Sequence, residues 1–192
     1  IGADGLICLE PKVGFDFYMR YYNSDGNIST MCGNGGRCLV KFAHDLGIVK
    51  DSCRFLAIAG AHEAVIEEGI ISLKMSDVNS IQLHISDYVL NTGSPHYVRF
   101  VDNVAKVDLI KEARAIRYAD EFANEGINVN FVEKKESGKI IMRTYERGVE
   151  DETLSCGTGV VAASLATAFT SSVELNTIVT ETLGGKLKVA FA

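Results

Sequence analysis

Met31-Cys32-Gly33-Asn34-Gly35-Gly36-Arg37-Cys38 and Ser155-Cys156-Gly157-Thr158-Gly159-Val160 are two stretches of this chain that look like copies of each other. In each, a cysteine stands directly before glycines. Each stretch also runs into a segment with the apolar spacing of a helix, residues 38–46 and 160–166. The sequence therefore predicts a thiol at the N-terminus of each of two helices.

A helix N-terminus gives a thiol specific chemistry. The first backbone N–H groups have no partner within the helix and carry partial positive charge, so they bind anions. Glycine lets a ligand approach the backbone closely, and a cysteine in this position has its thiolate favoured. Two such thiols on opposite sides of one carbon would supply the base and the acid that inversion of a stereocentre requires.

The residues before each cysteine repeat as well. An extended run ending in a polar turn precedes Cys32 at residues 20–26, and another precedes Cys156 at residues 143–148. We interpret the chain as two related halves, residues 1–79 and 80–192, each with a strand, a turn, a cysteine-glycine loop and a helix. The prediction is an α+β fold of two pseudo-symmetric domains, each a strand-rich, barrel-like sheet around a central helix.

Alternation of apolar and polar residues, with turn signals between the runs, places the remaining elements. Gly47 is predicted to stop the first helix, and Ser94-Pro95-His96 is predicted to lie in a loop. A further helix is expected at residues 107–116. Strands are expected at residues 15–21, 55–58, 64–66, 70–75, 81–85, 88–90, 97–101, 129–132, 139–145, 177–181 and 186–191.

The bulk properties limit the class of partner. A net charge of -6 without a basic cluster argues against nucleic acid or an anionic membrane as partner. No apolar run approaches the roughly 20 residues needed to span a bilayer, so a soluble cytoplasmic protein is expected. The five cysteines contain no CxxC pair, which favours reduced thiols over disulfides and gives no metal site.

Several separated motifs together resemble the diaminopimelate epimerase family. They are the two cysteine loops, Asn23-Ser24-Asp25-Gly26, Tyr145-Glu146-Arg147-Gly148 and Leu183-Gly184-Gly185, in the family's order. The resemblance implies interconversion of LL- and meso-diaminopimelate, in lysine and cell-wall precursor biosynthesis, without pyridoxal phosphate or another cofactor. It also implies an active site in the cleft between two similar domains. Family members carry segments before and after the region seen here, so this segment alone is expected to be inactive or poorly folded.

The resemblance also assigns roles to individual residues. Cys32 and Cys156 would be the acid/base pair, and His96 would tune the first thiol. Glu146 would bind the substrate amino group near the second thiol, and Arg147 would bind a carboxylate. The amides at Gly33, Asn34, Gly157 and Thr158 would bind the reacting carboxylate, and Asn23 and Asn128 would contact the substrate. Ser94 and Gly5 depart from residues common in the family.

Structural interpretations of the same residues stay open. Asn34 and Thr158 could be plain helix caps, Glu146-Arg147 an exposed ion pair, and Asn23 a turn residue. The remaining cysteines, Cys8, Cys38 and Cys53, are assigned to packing.

Alternative functions also stay open. One is a proline or hydroxyproline racemase, although such enzymes usually have histidine at the position of Asn34 and proline at that of Ser155. Others are a thiol redox protein and a binding module for an amino-acid carboxylate. The oligomeric state, a homodimer among the alternatives, is not determined by the sequence.

Overall fold

The computed structural model describes residues 3, 5–23, 25–29, 31–136 and 138–192, with the backbone alone for residue 29. Residue 24 of the predicted Asn23–Gly26 turn lies outside this set. The chain divides into two compact units, residues 1–76 and 77–192, whereas the sequence placed a boundary between residues 79 and 80.

The first unit is a six-stranded sheet with one helix. Its elements are β1 (Gly5–Glu10), β2 (Phe17–Asn23), β3 (Ile28–Ser29), α1 (Gly33–Asp45), β4 (Ser52–Ala57), β5 (Gly60–Glu67) and β6 (Ile70–Leu73). The strand order is β1-β2-β4-β5-β6, with β3 paired to β2. β2 and β4 are parallel because α1 provides the crossover between them, and the other pairs are antiparallel.

One face of α1 packs on this sheet. Val40 and Ala43 are fully buried beside Phe17 and Phe55, whose rings stack with centroids 4.9 Å apart. As predicted, α1 ends just before Gly47, which adopts a positive φ of 70°. Burial raises the pKa of the Cys53 thiol to about 11, which suits the packing role assigned to it.

The second unit is an eight-stranded sheet with helices on both faces. Its elements are β7 (Gln82–His84), β8 (Asp87–Asn91), β9 (Pro95–Phe100), a 3-10 turn (Val104–Lys106), α2 (Leu109–Arg117), β10 (Asn128–Lys134), β11 (Lys139–Glu146), β12 (Asp151–Thr153), α3 (Gly157–Phe169), β13 (Thr177–Thr182) and β14 (Gly185–Ala190). The strand order is β14-β13-β11-β10-β9-β8-β7, with β12 paired to β11. Pairs β9–β10 and β11–β13 are parallel.

Side-chain alternation divides the core of this unit between its two helices. Val129, Phe131 and Tyr145 pack in the cluster that contains α2, whereas Val132 and Met142 pack in the cluster that contains α3. Because α3 is apolar around most of its circumference, it is buried on nearly all sides.

The predicted repeat of the two halves is present in the order of elements. In both units a strand is followed by a short antiparallel partner, a cysteine, a 13-residue helix and a strand parallel to the first. The fold is α+β with strand-rich sheets, as expected. Three strands, β1, β3 and β12, had no counterpart in the sequence prediction.

Candidate active site

The first predicted thiol caps α1. Cys32 has extended backbone angles, φ -133° and ψ 117°, and its Sγ accepts a hydrogen bond from the Gly35 amide at 3.3 Å. The Gly36 amide donates to the Cys32 carbonyl at 2.7 Å and starts the helical ladder. The half-buried sulfur therefore lies at the amide end of α1, where Gly33 and Asn34 supply the first N–H groups of the helix.

Close packing explains one of the glycines in this loop. A Cβ at Gly35 would lie 2.2 Å from Ile7 Cδ1, so β1 passes directly beside the helix start. Arg37 lies half-buried one turn into α1. It donates to Oδ1 of Asn34 and so fixes that side chain at the start of the helix. Asn23 lies at the exposed end of β2, and its backbone closes a turn with Asn27.

The second thiol occupies the equivalent backbone position. Cys156 has φ -114° and ψ 110° and precedes α3, and only 8% of the residue is exposed. The Val160 amide donates to its carbonyl at 2.8 Å. Its Sγ lies 3.5 Å from Thr158 Oγ1, and its thiol also hydrogen-bonds to the Glu146 carboxyl group. Gly157 and Thr158 provide the first amides of α3.

The β8–β9 hairpin holds the start of α3 in place. The Thr92 hydroxyl donates to the Thr158 carbonyl at 2.9 Å, and His96 Nε2 lies 2.9 Å from Thr158 Oγ1. At Gly159 a Cβ would lie 2.5 Å from Asn130 Oδ1 and 3.3 Å from His96 Cε1, so this close approach requires glycine.

The predicted loop position of His96 is wrong. β9 begins at Pro95, and His96 is a strand residue with no exposed surface. Burial away from water, together with the nearby Arg147 charge, lowers the pKa of His96 to about 3. The imidazole is therefore neutral near pH 7. It is hydrogen-bonded to the second thiol loop, and its predicted role toward Cys32 stays a prediction.

Glu146 ends β11 beside the second thiol. Desolvation raises the pKa of its carboxyl group, while hydrogen bonds from Thr153, at 2.5 Å, and from Cys156 act in the opposite direction. Both partners are uncharged. A carboxylate in this environment gains from a cationic ligand, because burial leaves its charge poorly compensated.

Asn128 connects the predicted carboxylate ligand to the loop before β9. Its Nδ2 donates to Ser94 Oγ and to the Pro95 carbonyl, and its Oδ1 accepts from the Arg147 amide at 2.9 Å. The Arg147 guanidinium donates to the Glu125 carbonyl at 2.7 Å and lies 3.4 Å from Ser94 Oγ. Since these acceptors are uncharged, the exposed guanidinium can still form an ion pair with a carboxylate ligand.

Within the second unit the structure thus brings together His96, Asn128, Glu146, Arg147, Cys156, Gly157 and Thr158. In the first unit Cys32, Gly33 and Asn34 lie together at the start of α1, and Asn23 lies at a strand end. The ion pair that was left open as an alternative for Glu146 and Arg147 is not seen between these two described residues, whose side chains have the other partners given above.

Three polar residues of the site escaped the sequence analysis: Asn130, Thr144 and Thr153. Asn130 and Thr144 lie on the sheet face that packs against α3, where apolar residues are the rule. Alternation along β10 and β11 could have found them, because Asn130 and Val132 fall on one face, as do Met142 and Thr144.

The described residues contain neither a metal-binding cluster nor a membrane-spanning helix. No group of three or more histidine, cysteine, aspartate or glutamate side chains there could hold a metal ion. Among the same residues no helix is long and apolar enough to span a membrane.

Solved structures with the same fold come from a class of racemase-fold proteins. A phenazine biosynthesis protein of the PhzF family from Bacillus anthracis matches 97% of this chain and 76% of its own, with a TM-score of 0.70 at 17% identity. A hydroxyproline epimerase from Agrobacterium vitis matches 97% of this chain and 66% of its own, with a TM-score of 0.69 at 15% identity. At these identities the likeness establishes the fold alone.

Sequence comparison defines the family. The model of the diaminopimelate epimerase family matches residues 1–79 and 88–192. A diaminopimelate epimerase from Flavobacterium psychrophilum is 53% identical over 192 residues, which cover 100% of this chain and 75% of that protein. The chain belongs to the diaminopimelate epimerase family and is an isomerase of the epimerase type.

Proposed function

We propose that this chain carries the two cysteine loops of an enzyme that interconverts LL- and meso-diaminopimelate by a two-base mechanism. The observation that carries the proposal is the repeated placement of a cysteine with extended backbone directly before a helix, in a chain of this family. In this mechanism the thiolate of one cysteine removes the α-proton while the thiol of the other delivers a proton to the opposite face. The reverse reaction exchanges the two roles.

The surrounding groups address the low acidity of the α-proton. Amides at Gly33, Asn34, Gly157 and Thr158 stabilise the negative charge that develops on the reacting carboxylate, because they are fixed before reaction begins. The half-buried Glu146 carboxylate takes the substrate ammonium group, because its partial burial and uncharged partners favour a cationic ligand. Arg147 takes a carboxylate with its fork of N–H donors.

We infer a positioning part for Asn128 in addition to the substrate contact that the resemblance predicts. Both of its N–H donors are used by Ser94 and Pro95, and its oxygen accepts from the Arg147 backbone. It therefore acts chiefly by holding Arg147 and Ser94 together, with one acceptor lone pair left for the substrate. Ser94 Oγ accepts from both neighbours, so its own hydroxyl proton remains available to a ligand bound by Arg147.

Other parts of the proposal rest on the family and on composition. The substrate is a small molecule, no cofactor takes part, and neither nucleic acid nor a membrane is a partner. A cytoplasmic location and a homodimeric state complete the proposal. The charge of -6 supports the exclusion of nucleic acid and anionic membranes, and the five cysteines, which form no disulfide among the described residues, fit a reducing compartment.

The experiment is epimerisation in deuterated water by the complete protein with no added cofactor. LL-diaminopimelate should yield the meso form with deuterium at the α-carbon, detected by NMR and chiral chromatography. Exchange of proline or hydroxyproline instead would move the protein to the racemase alternative. Absence of exchange with all of these substrates would leave a binding or redox role.

Single variants test the two thiols. Cys32→Ala and Cys156→Ala should each reduce epimerisation by at least about 10²-fold, because each removes one proton-transfer group. Cys38→Ala is the matched control, since Cys38 is an exposed thiol on α1 outside the proposed site. Wild-type turnover by either of the first two variants would overturn the mechanism.

A further inference from the structure

A row of buried polar side chains crosses the sheet beneath the start of α3. His96 on β9, Asn130 on β10 and Thr144 on β11 lie on the same face, and each is at most 2% exposed. Asn130 is directly paired with Thr144 in the register of β10 and β11. Farther along β10 and β11 this face carries the apolar residues Val132 and Met142, so a polar row here costs free energy unless its hydrogen bonds are complete.

The hydrogen bonds of Asn130 fix the orientation of its amide. Nδ2 lies 2.9 Å from the Tyr97 carbonyl, which can only accept, so an N–H group must face it. Oδ1 then faces the Thr144 hydroxyl, which donates to it at 3.0 Å. The alternative orientation would set two oxygens against each other at the Tyr97 carbonyl.

This orientation fixes the tautomer of His96. The second N–H of Asn130 Nδ2 points to His96 Nδ1 at 3.1 Å, so Nδ1 must be the acceptor and carries no proton. The proton of the neutral imidazole is therefore on Nε2. From there it is donated to Thr158 Oγ1 at 2.9 Å.

The same donor-to-acceptor order of hydrogen bonds extends from Thr158 to the second thiol, Cys156. Thr158 Oγ1 accepts the bond from His96, so the hydroxyl proton of Thr158 is available as a donor. Cys156 Sγ lies 3.5 Å from this oxygen, within hydrogen-bond distance for sulfur. The Thr158 hydroxyl thus donates to the sulfur, and this bond is strongest when the sulfur is a thiolate.

We propose that Asn130 is a positioning residue that, by fixing the tautomer of His96, directs the Thr158 hydroxyl proton to Cys156 and stabilises its thiolate form. The inference deepens the proposed function and rests on it for the use made of the thiolate. The hydrogen-bond order is Asn130 to His96 to Thr158 to Cys156, which we call the relay. Asn130 touches no reacting atom and acts only through its neighbours.

Three charged or titratable groups lie near His96 or along the relay. The positive charge of Arg147, which follows β11, disfavours protonation of the neutral imidazole ring. Cys156, before α3, is the titratable group at the other end of the relay, and Glu146 at the end of β11 contacts that thiol. Asn130, Thr144 and Thr158, which face the ring or its partners, do not titrate.

The first test reads the tautomer directly. In the complete protein labelled with ¹⁵N-histidine, two-bond ¹H–¹⁵N spectra should show His96 with a proton on Nε2 and none on Nδ1 from about pH 5 to pH 8. Asn130→Asp replaces the donor by an acceptor and should move the proton to Nδ1. A wild-type ring protonated at Nδ1, or a ring that titrates within this range, would overturn the proposal whatever the enzyme activity.

The second test reads the thiol. The pH dependence of iodoacetamide labelling at Cys156, followed by peptide mass spectrometry, gives a midpoint for thiolate formation. Thr158→Val, which keeps the shape and removes the donor, should raise this midpoint by about one to two pH units. Thr158→Ser restores a hydroxyl and should return the midpoint to within a few tenths of a unit of the wild type.

Two controls separate the relay from general damage. Thr180→Val makes the same change at a buried threonine of β13 whose hydroxyl has no hydrogen-bond partner among the described residues, and it should leave the Cys156 midpoint unchanged. Labelling of Cys32 in the same samples should also be unchanged. An unaltered Cys156 midpoint in Thr158→Val would overturn the proposal.

Kinetics of the complete enzyme then distinguish failure of the relay from failure of the proposed function. Asn130→Asp should lower kcat by on the order of 10²-fold with a smaller change in KM, since the relay acts on proton transfer. If the spectra and the labelling agree with the relay but no epimerisation is found in the wild type, the proposed function fails alone. If the wild type is active and Asn130→Asp keeps wild-type kcat, the relay fails alone.

Discussion

Replacing His96 by glutamine should remove a defined part of the pH dependence of stability. The imidazole is completely buried on β9, and its pKa falls from 6.5 to about 3 because the charged form is desolvated and lies near Arg147. As the pH falls below 6.5, His96 therefore binds a proton in the unfolded chain but stays neutral in the folded chain. The stability due to the neutral ring is complete above pH 6.5 and is lost progressively below it.

The magnitude follows from linkage. A single proton bound only by the unfolded state costs about 1.4 kcal/mol of unfolding free energy per pH unit. At pH 5 the loss due to His96 alone is thus about 2 kcal/mol relative to pH 7.5. The window closes near pH 3, where the folded state would also take up the proton.

The assay is urea unfolding of the wild type and of His96→Gln at several values between about pH 7.5 and pH 5, followed by circular dichroism. Other groups titrate equally in both proteins, so the difference between the two curves isolates His96. His96→Gln is expected to be less stable at pH 7.5, because it disturbs Asn130 and Thr158, and the gap should shrink by about 2 kcal/mol by pH 5.

Thr180→Val serves as the reference for this comparison, since it alters the same sheet without changing a titratable group. Its stability curve should run parallel to that of the wild type. A gap between the wild type and His96→Gln that stays constant across the range would refute the reasoning, because it would mean that His96 binds protons equally in the folded and unfolded states.

Three further predictions use the geometry of the two loops. Gly159→Ala should destabilise the protein by about 1–3 kcal/mol in urea unfolding, whereas Gly35→Ala should cost less than about 1 kcal/mol, because the added methyl meets a fixed amide oxygen in the first case and the movable end of Ile7 in the second. Arg147→Lys should raise KM for diaminopimelate about tenfold or more with a smaller effect on kcat, since a single ammonium cannot bind a carboxylate with two parallel bonds; an unchanged KM would contradict this. Burial raises the pKa of Glu146, so the folded state loses stability as the pH rises through that pKa. Glu146→Gln should lose turnover. Its free energy of unfolding, compared with that of the wild type, should be higher near pH 7 than near pH 4. Equal stability profiles for the variant and the wild type would contradict the last prediction.

The two thiol positions could be predicted from sequence because the signal is local. A cysteine followed by glycines and an apolar helical pattern needs no long-range information, and both helices begin at the predicted cysteines. The starts of α1 and α3 were nevertheless placed too late, since the glycines were assigned to a loop. In the structure Gly33 and Gly157 are the first residues of the helices.

His96 was misplaced for a physical reason that a sequence does not carry. Pro95 is a loop signal, yet proline is also tolerated as the first residue of a strand, where its missing N–H is not needed. Here β9 reaches back to Pro95 through its hairpin with β8, and His96 also pairs in parallel with Asn128 of β10. Because this pairing joins strands separated by α2, local pattern could not reveal that the histidine is buried.

The polar row was missed for a related reason. Asn130 and Thr144 are ordinary strand residues in the sequence, and their importance depends on the register that sets them opposite each other. Only with the positions of β9 and α3 added does the amide acquire its two fixed partners, the Tyr97 carbonyl and His96. The role proposed for Asn130 therefore depends on the strand register, which the sequence alone does not show.

The two thiol loops have similar backbone angles at the cysteine but differ in the groups that hydrogen-bond to the sulfur. Cys32 Sγ accepts from the Gly35 amide of its own helix, whereas Cys156 Sγ contacts side chains, the Thr158 hydroxyl and the Glu146 carboxyl group. The Gly35 amide can only donate, whereas the Glu146 carboxyl group can accept a hydrogen bond or donate one according to its own protonation state. A two-base epimerase needs one thiol charged and the other protonated at the start of each turnover. This difference between the loops therefore predicts that the protonation of Cys156 is coupled to that of Glu146, so that Glu146→Gln should alter the labelling midpoint of Cys156 and leave that of Cys32 unchanged.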